Sequence, residues 1–96
     1  MKLPQDVIIN PIVSEKSMEL IQEENTYCFK VDKGSNKIEI RKAIEDLFNV
    51  EVLNVRTANM HGKIRSMGRN EGKRPDWKKA YVTLAQGDNI EVVEGV

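Results

Sequence analysis

Between Arg56 and Lys79 the chain carries eight cations, Arg56, Lys63, Arg65, Arg69, Lys73, Arg74, Lys78 and Lys79, against two acids, Glu71 and Asp76. That segment holds a net +6, and the other seven cations and thirteen acids leave the rest at −6, so a formal charge of zero conceals segregated sign. A salt-bridged solvent face mixes its signs, whereas a block of one sign points to an anionic partner. Gly62, Gly68 and Gly72 interleave with the cations, so the backbone can follow a phosphate chain while each Lys or Arg releases counterions. Trp77 ends the segment with a surface on which a base can stack, and Tyr81 falls on the same face of an extended chain. Core packing is the competing account of Trp77, and its charged neighbours Asp76, Lys78 and Lys79 weigh against it.

Catalytic chemistry has little to work with. The single histidine, His61, lies inside the basic segment, and the single cysteine, Cys28, sits mid-strand. Neither has a local partner that would build a metal site or activate a nucleophile. Cys28 reads as a small buried apolar residue, and His61 as a polar loop residue able to touch RNA. The acid pairs Glu23-Glu24 and Glu45-Asp46 fall at helix ends or on exposed helix positions. Gly68-Arg69-Asn70-Glu71-Gly72-Lys73-Arg74 has the look of a phosphate loop, but three residues separate its glycines where four are needed. Arg74 also stands where Ser or Thr would hold magnesium. The expectation is no enzyme, no cofactor, no metal and no small-molecule substrate. One cysteine, no N-terminal apolar run and no stretch near the roughly 18 apolar residues of a membrane span point to a cytoplasmic protein with no membrane partner.

The elements that must position these residues alternate between strand and helix. Residues 6–9 form a short β-prone run stopped by Asn10-Pro11. Ser14 reads as an N-cap with Glu15 in the first turn, followed by the stripe Ser17, Leu20 and Ile21. Residues 26–32 alternate, with Tyr27, Phe29 and Val31 on one face. Asn36 and Glu39 fit a capping box, and Ile40, Ala43, Ile44, Leu47 and Phe48 make one apolar stripe behind it. Residues 50–59 read as a strand built on Val50, Val52, Leu53 and Val55. Residues 60–76 show no apolar periodicity and read as a long irregular basic loop, a length that in a small domain is usually functional or disordered. Strand character returns at 77–85, with Ala80, Val82 and Leu84 toward the core, and 90–93 adds an extended piece. The whole predicts one domain over 1–96 with a basic extension at 60–76: an α+β domain of split β-α-β type, with a mainly antiparallel four-stranded sheet and two helices. In it one helix joins two parallel strands that the last strand separates.

A smaller basic set, Lys16, Lys37, Arg41 and Lys42, sits at helix starts, where amides and cations together suit phosphate. The aromatic signature of a sheet that stacks single-stranded RNA is missing from Tyr27-Cys28-Phe29 and from 77–81. A compact body with a basic extension instead fits a protein wedged into folded RNA.

Pro11-Ile-Val-Ser-Glu-Lys-Ser17, Asn25-Thr-Tyr-Cys-Phe-Lys-Val31, Lys37-Ile-Glu-Ile40, Phe48-Asn-Val50, Val55-Arg-Thr57, Gly62-Lys63 and Trp77-Lys-Lys-Ala-Tyr-Val-Thr-Leu84 together resemble one family. It is that of large-subunit ribosomal protein number twenty-three, bacterial type, and the likeness runs from Asp6 to about Gly87. The resemblance implies a structural constituent of the large ribosomal subunit that binds large-subunit ribosomal RNA (rRNA) near the polypeptide exit tunnel. It implies ribosomal protein number twenty-nine as a neighbour, and docking of trigger factor and the signal recognition particle, with the chaperone contact at Glu15. It also implies that the loop at 60–76 reaches toward the tunnel wall. RNA contact is expected from Lys16, Lys37, Arg41, Arg56, His61, Lys63, Arg65, Arg69, Lys73, Arg74, Trp77, Lys78 and Lys79. A free-standing RNA-binding regulator is the alternative, and a small enzyme of ferredoxin-like shape comes third.

Overall fold

In the computed structural model, which describes residues 3–61, 64–67, 70–73 and 76–91, the chain begins with a single helical turn, α1 (Pro4–Val7). Proline at the start of the turn gives up an N–H that has no partner there anyway. Asp6 and Val7, expected in a strand, instead donate their amides to the Leu3 carbonyl at 2.9 and 3.2 Å. The first strand, β1 (Ile8–Pro11), starts later and takes in the Asn10-Pro11 pair that the sequence suggested as its stop. β1 lies at the sheet edge, where a proline interrupts no ladder.

The next helix, α2 (Glu15–Glu24), opens as expected on Ser14. The Ser17 amide donates to Ser14 Oγ at 3.2 Å and the Ser14 amide donates to Ser17 Oγ at 2.7 Å, so two amides without helical partners are satisfied reciprocally. Asn25 closes the helix in the left-handed region, at φ 50°. Its side-chain amide donates to the carbonyls of Leu84, Ala85 and Asp88, tying the end of α2 to the end of the last strand.

After β2 (Thr26–Val31), the helix α3 (Lys37–Phe48) carries the Asn36–Glu39 capping box: Asn36 Oδ1 accepts from the Glu39 amide at 2.8 Å and Glu39 Oε1 from the Asn36 amide at 3.1 Å. Ile40, Ala43 and Ile44 are buried, and each isoleucine contributes about 1.5–3 kcal/mol by leaving water. Leu47 and Phe48 depart from the expected stripe, at 42% and 37% exposed. Phe48 keeps a tilted contact with the Phe29 ring, 5.9 Å between centroids.

β3 (Val52–Met60) buries Val52 and Val55 although they lie three apart. A bulge explains it: Val52 pairs with Leu84 and Asn54 with Thr83, so Leu53 is the extra residue and Val55 returns to the inner face. Leu53, one of the apolar residues on which the strand is expected to be built, is 58% exposed. The final strand, β6 (Trp77–Leu84), inserts between β2 and β3, giving the antiparallel order β1-β2-β6-β3. β2 and β3 therefore run parallel without touching, joined by α3, as the element order implied.

The stretch read as an irregular loop is corrected in part. It contains β4 (Ile64–Met67) and β5 (Asn70–Lys73), a two-stranded antiparallel ribbon that pairs Ile64 with Lys73 and Met67 with Asn70. Such a ribbon closes its hydrogen bonds internally and needs no apolar face, so apolar periodicity could not reveal it. Ile90, expected to start an extended piece, lies outside any strand; it is buried, and its amide donates to Tyr27 Oη at 3.2 Å. Residues 92–93 of that piece fall outside the described residues.

The core lies between α3 and the inner sheet face of Tyr27, Phe29, Val31, Val55, Ala80, Val82 and Leu84. The outer face is covered only in part. There α2 packs on β2 and leaves Thr26 and Cys28 buried as well. Thr26 Oγ1 and Thr83 Oγ1 share a 2.8 Å hydrogen bond at this end.

Candidate nucleic-acid interface

Strand alternation and register decide which side chains share the outer face, on which Cys28 is buried. β2 contributes Cys28 and Lys30, β6 contributes Trp77, Lys79 and Tyr81, and β3 contributes Arg56, Ala58 and Met60. The rows read Cys28–Tyr81–Arg56, then Lys30–Lys79–Ala58, then Trp77–Met60. Each cation here has an aromatic ring within reach. Lys30 Nζ is 6.0 Å from the Trp77 ring centroid, Lys79 Nζ is 4.9 Å from that of Tyr81, and the Arg56 guanidinium carbon is 5.6 Å from the same ring. Ring faces hold cations electrostatically, by about 0.5–1 kcal/mol at exposed sites, and so present them in fixed positions. Burial raises the Cys28 thiol above its ordinary range, and the nearby charges of Lys79 and Arg56 act against that rise.

Three expected contact residues, Arg56, Trp77 and Lys79, are thus brought together. Trp77 is half-buried on the outer face and takes no part in the core cluster. Lys78 is turned to the other side of the strand, where Nζ donates to the Ser35 carbonyl ahead of α3. His61 is exposed just past β3, its Nδ1 3.8 Å from Asp76 Oδ2. Lys16 on α2 and Lys37 on α3 are exposed in first turns. Arg41 reaches Glu45 at 4.0 Å along α3. Glu15, first residue of α2, is exposed beside its cap. Arg65 and Lys73 belong by backbone to the ribbon, opposite Gly72 and Ile64. Lys63, Arg69 and Arg74 lie outside the described residues. Among the described residues no group of His, Cys, Asp or Glu could hold a metal ion, and no helix is long and apolar enough to cross a membrane.

A stacked array of cations and rings is a general nucleic-acid feature, and comparison with known sequences narrows it. The profile of a family described as Ribosomal protein L23 matches residues 6–92 of this chain. The chain belongs to the L23 family of ribosomal proteins. It is 52% identical over 96 residues to the large ribosomal subunit protein uL23 of Heliobacterium modesticaldum, covering 100% of both chains. The protein of that name from an Anaeromyxobacter species is 48% identical over 91 residues, 95% of this chain and 94% of its own. That of Alkalilimnicola ehrlichii is 51% identical over 90 residues, 94% and 91%. L23 is a structural family and not an enzyme family, so the chain is not an enzyme.

Within this L23-family chain, Tyr81 stands on the face of Trp77 as the sequence suggests, and the residue of the strip that sequence reasoning misses is Lys30, which lies far from the basic segment in sequence. The signal was available: with β6 beside β2, alternation puts Lys30 on the face of Lys79.

Proposed function

We propose that this protein is a structural constituent of the large ribosomal subunit, holding large-subunit rRNA through one RNA-binding domain over 1–96 with a basic extension at 60–76. It works in the cytoplasm, on the subunit. The observation that carries this reading is the outer-face strip of Lys30, Arg56 and Lys79 on the rings of Trp77 and Tyr81. Phosphates meet the fixed cations, and bases meet whatever ring surface remains open. Lys16, Lys37, Arg41, His61 and the basic residues of 63–74 add sequence-independent charge.

The finer reading follows the family likeness. The chain sits near the polypeptide exit tunnel beside ribosomal protein number twenty-nine, and exposed Glu15 offers a docking point to trigger factor and the signal recognition particle. An acid in the first turn of α2 suits this role, because removing it disturbs the helix little.

Sedimentation tests the proposal. A tagged copy of the chain should travel with large subunits through a high-salt sucrose gradient, because a built-in constituent is retained when weak ionic contacts are screened. A free-standing regulator would be stripped away and recovered with other RNA.

A further inference from the structure

A cleft of about 500 Å³ opens between the end of α2 and the outer sheet face, lined by Leu20, Glu24, Arg56, Thr57 and Tyr81. Its size is that of a small-ligand site, and its chemistry is mixed. Tyr81 supplies a ring, Arg56 a planar guanidinium 5.6 Å from that ring, Leu20 an apolar wall and Glu24 a carboxylate.

A phosphate would be poorly served here. Leu20 and the ring offer it nothing, and Glu24 repels it. An unpaired base answers every wall. Its face stacks on an aromatic ring or a guanidinium plane, and its edge carries N–H donors that an ionised carboxylate accepts. Glu24 favours an amino-bearing edge, as in guanine, adenine or cytosine. Uracil's one imino donor is flanked by two carbonyl oxygens, which a carboxylate repels. A base within a duplex presents neither its face nor its pairing edge.

We propose that this cleft is a socket for one unpaired base of the bound RNA, stacked on Tyr81 and the Arg56 guanidinium with its amino-bearing edge turned to Glu24. The inference rests on the rRNA-binding reading above, and makes one nucleotide a specific contact within an interface that otherwise follows charge.

The test uses the full chain bound to large-subunit rRNA. Hydroxyl-radical cleavage reports the backbone footprint, and dimethyl sulfate and kethoxal report the pairing edges of unpaired bases. Wild type should shield one unpaired adenine, cytosine or guanine inside its footprint. Tyr81→Ala should expose that base and weaken binding roughly 5- to 150-fold, the loss of one stacked base, while Tyr81→Phe keeps the shielding. Glu24→Gln gives a sharper sign. If Glu24 is only an acid near an anion, removing its charge tightens binding; in a socket it weakens binding by roughly tenfold through a lost charge-assisted hydrogen bond. A backbone footprint with no shielded base, or tighter binding by Glu24→Gln, overturns the socket and leaves the rRNA reading standing. No footprint at all overturns both.

Discussion

Lys30 on β2 and Lys79 on β6 stand directly opposite each other, two like charges paired across an antiparallel ladder. Such a pair destabilises a sheet, by an amount comparable to the about 0.2–1 kcal/mol of a favourable cross-strand pair. Ring contacts with Trp77 and Tyr81 offset part of this. The arrangement makes physical sense if an anion completes it.

Lys30→Thr should therefore separate folding from binding. The ring contact of Lys30, at 6.0 Å, is the longer of the two lysine contacts, and Thr is at home in a strand. Urea unfolding should show stability unchanged or raised by up to about 1 kcal/mol at low salt, with less gain at high salt as screening relieves the wild-type pair. Affinity for rRNA should fall. A variant destabilised by more than about 1 kcal/mol would mean that Lys30 serves the fold.

Cys28 gives a pH expectation. Burial holds its thiol protonated beyond the range in which an unfolded cysteine ionises. Below that range both states carry the proton and the group contributes nothing to pH dependence. Above it the unfolded chain releases its proton first, so stability declines as pH rises. Iodoacetamide should leave the native thiol largely unreacted at mildly alkaline pH and alkylate it quickly in denaturant. Equal rates would show that Cys28 is open to solvent.

The β4–β5 ribbon is a two-stranded sheet apart from the main one. Two strands alone are marginal in water. In the free protein, amides of Ile64–Met67 and Asn70–Lys73 should exchange far faster than those of Val82 and Phe29, and should slow when rRNA is bound. Core-like protection of the ribbon without RNA would show that other contacts hold it.

Much of this was legible in the sequence, and the rest was hidden for identifiable reasons. Local signals worked where local chemistry decides: Ser14, Asn36 and Glu39 placed the helix starts, and alternation at Ala80, Val82 and Leu84 found the core face. Val52 and Val55 show the limit, since a bulge set by the pairing partner breaks the period of two. Leu47 and Phe48 read as core because periodicity reports a helix face and not how much of it a sheet covers. The site divides in the same way. The charge block stood out in sequence, whereas Lys30 joined it only through β2–β6 pairing, and Lys78 left it because its neighbour Lys79 faces the other way.

Glu15 separates assembly from docking. Its contribution to α2 through the helix dipole is about 0.3–1 kcal/mol, so Glu15→Ala should incorporate into ribosomes normally. Trigger-factor affinity for those ribosomes should fall about 10- to 150-fold if a chaperone cation pairs with this carboxylate, and further with Glu15→Lys. Equal affinity at normal occupancy would remove Glu15 from the docking surface.

The central claim is that the outer-face cations meet RNA phosphates, and the salt dependence of rRNA binding tests it most directly. Wild type and the triple variant Lys30→Gln, Arg56→Gln, Lys79→Gln are titrated with large-subunit rRNA across a range of salt, with circular dichroism confirming the fold. Lys30 and Lys79 are the phosphate contacts of the strip, with Arg56 stacked in the socket. Each lost phosphate contact should lower the slope of log affinity against log salt by roughly one unit, about two in all. A folded triple variant with the wild-type slope and affinity would contradict the account.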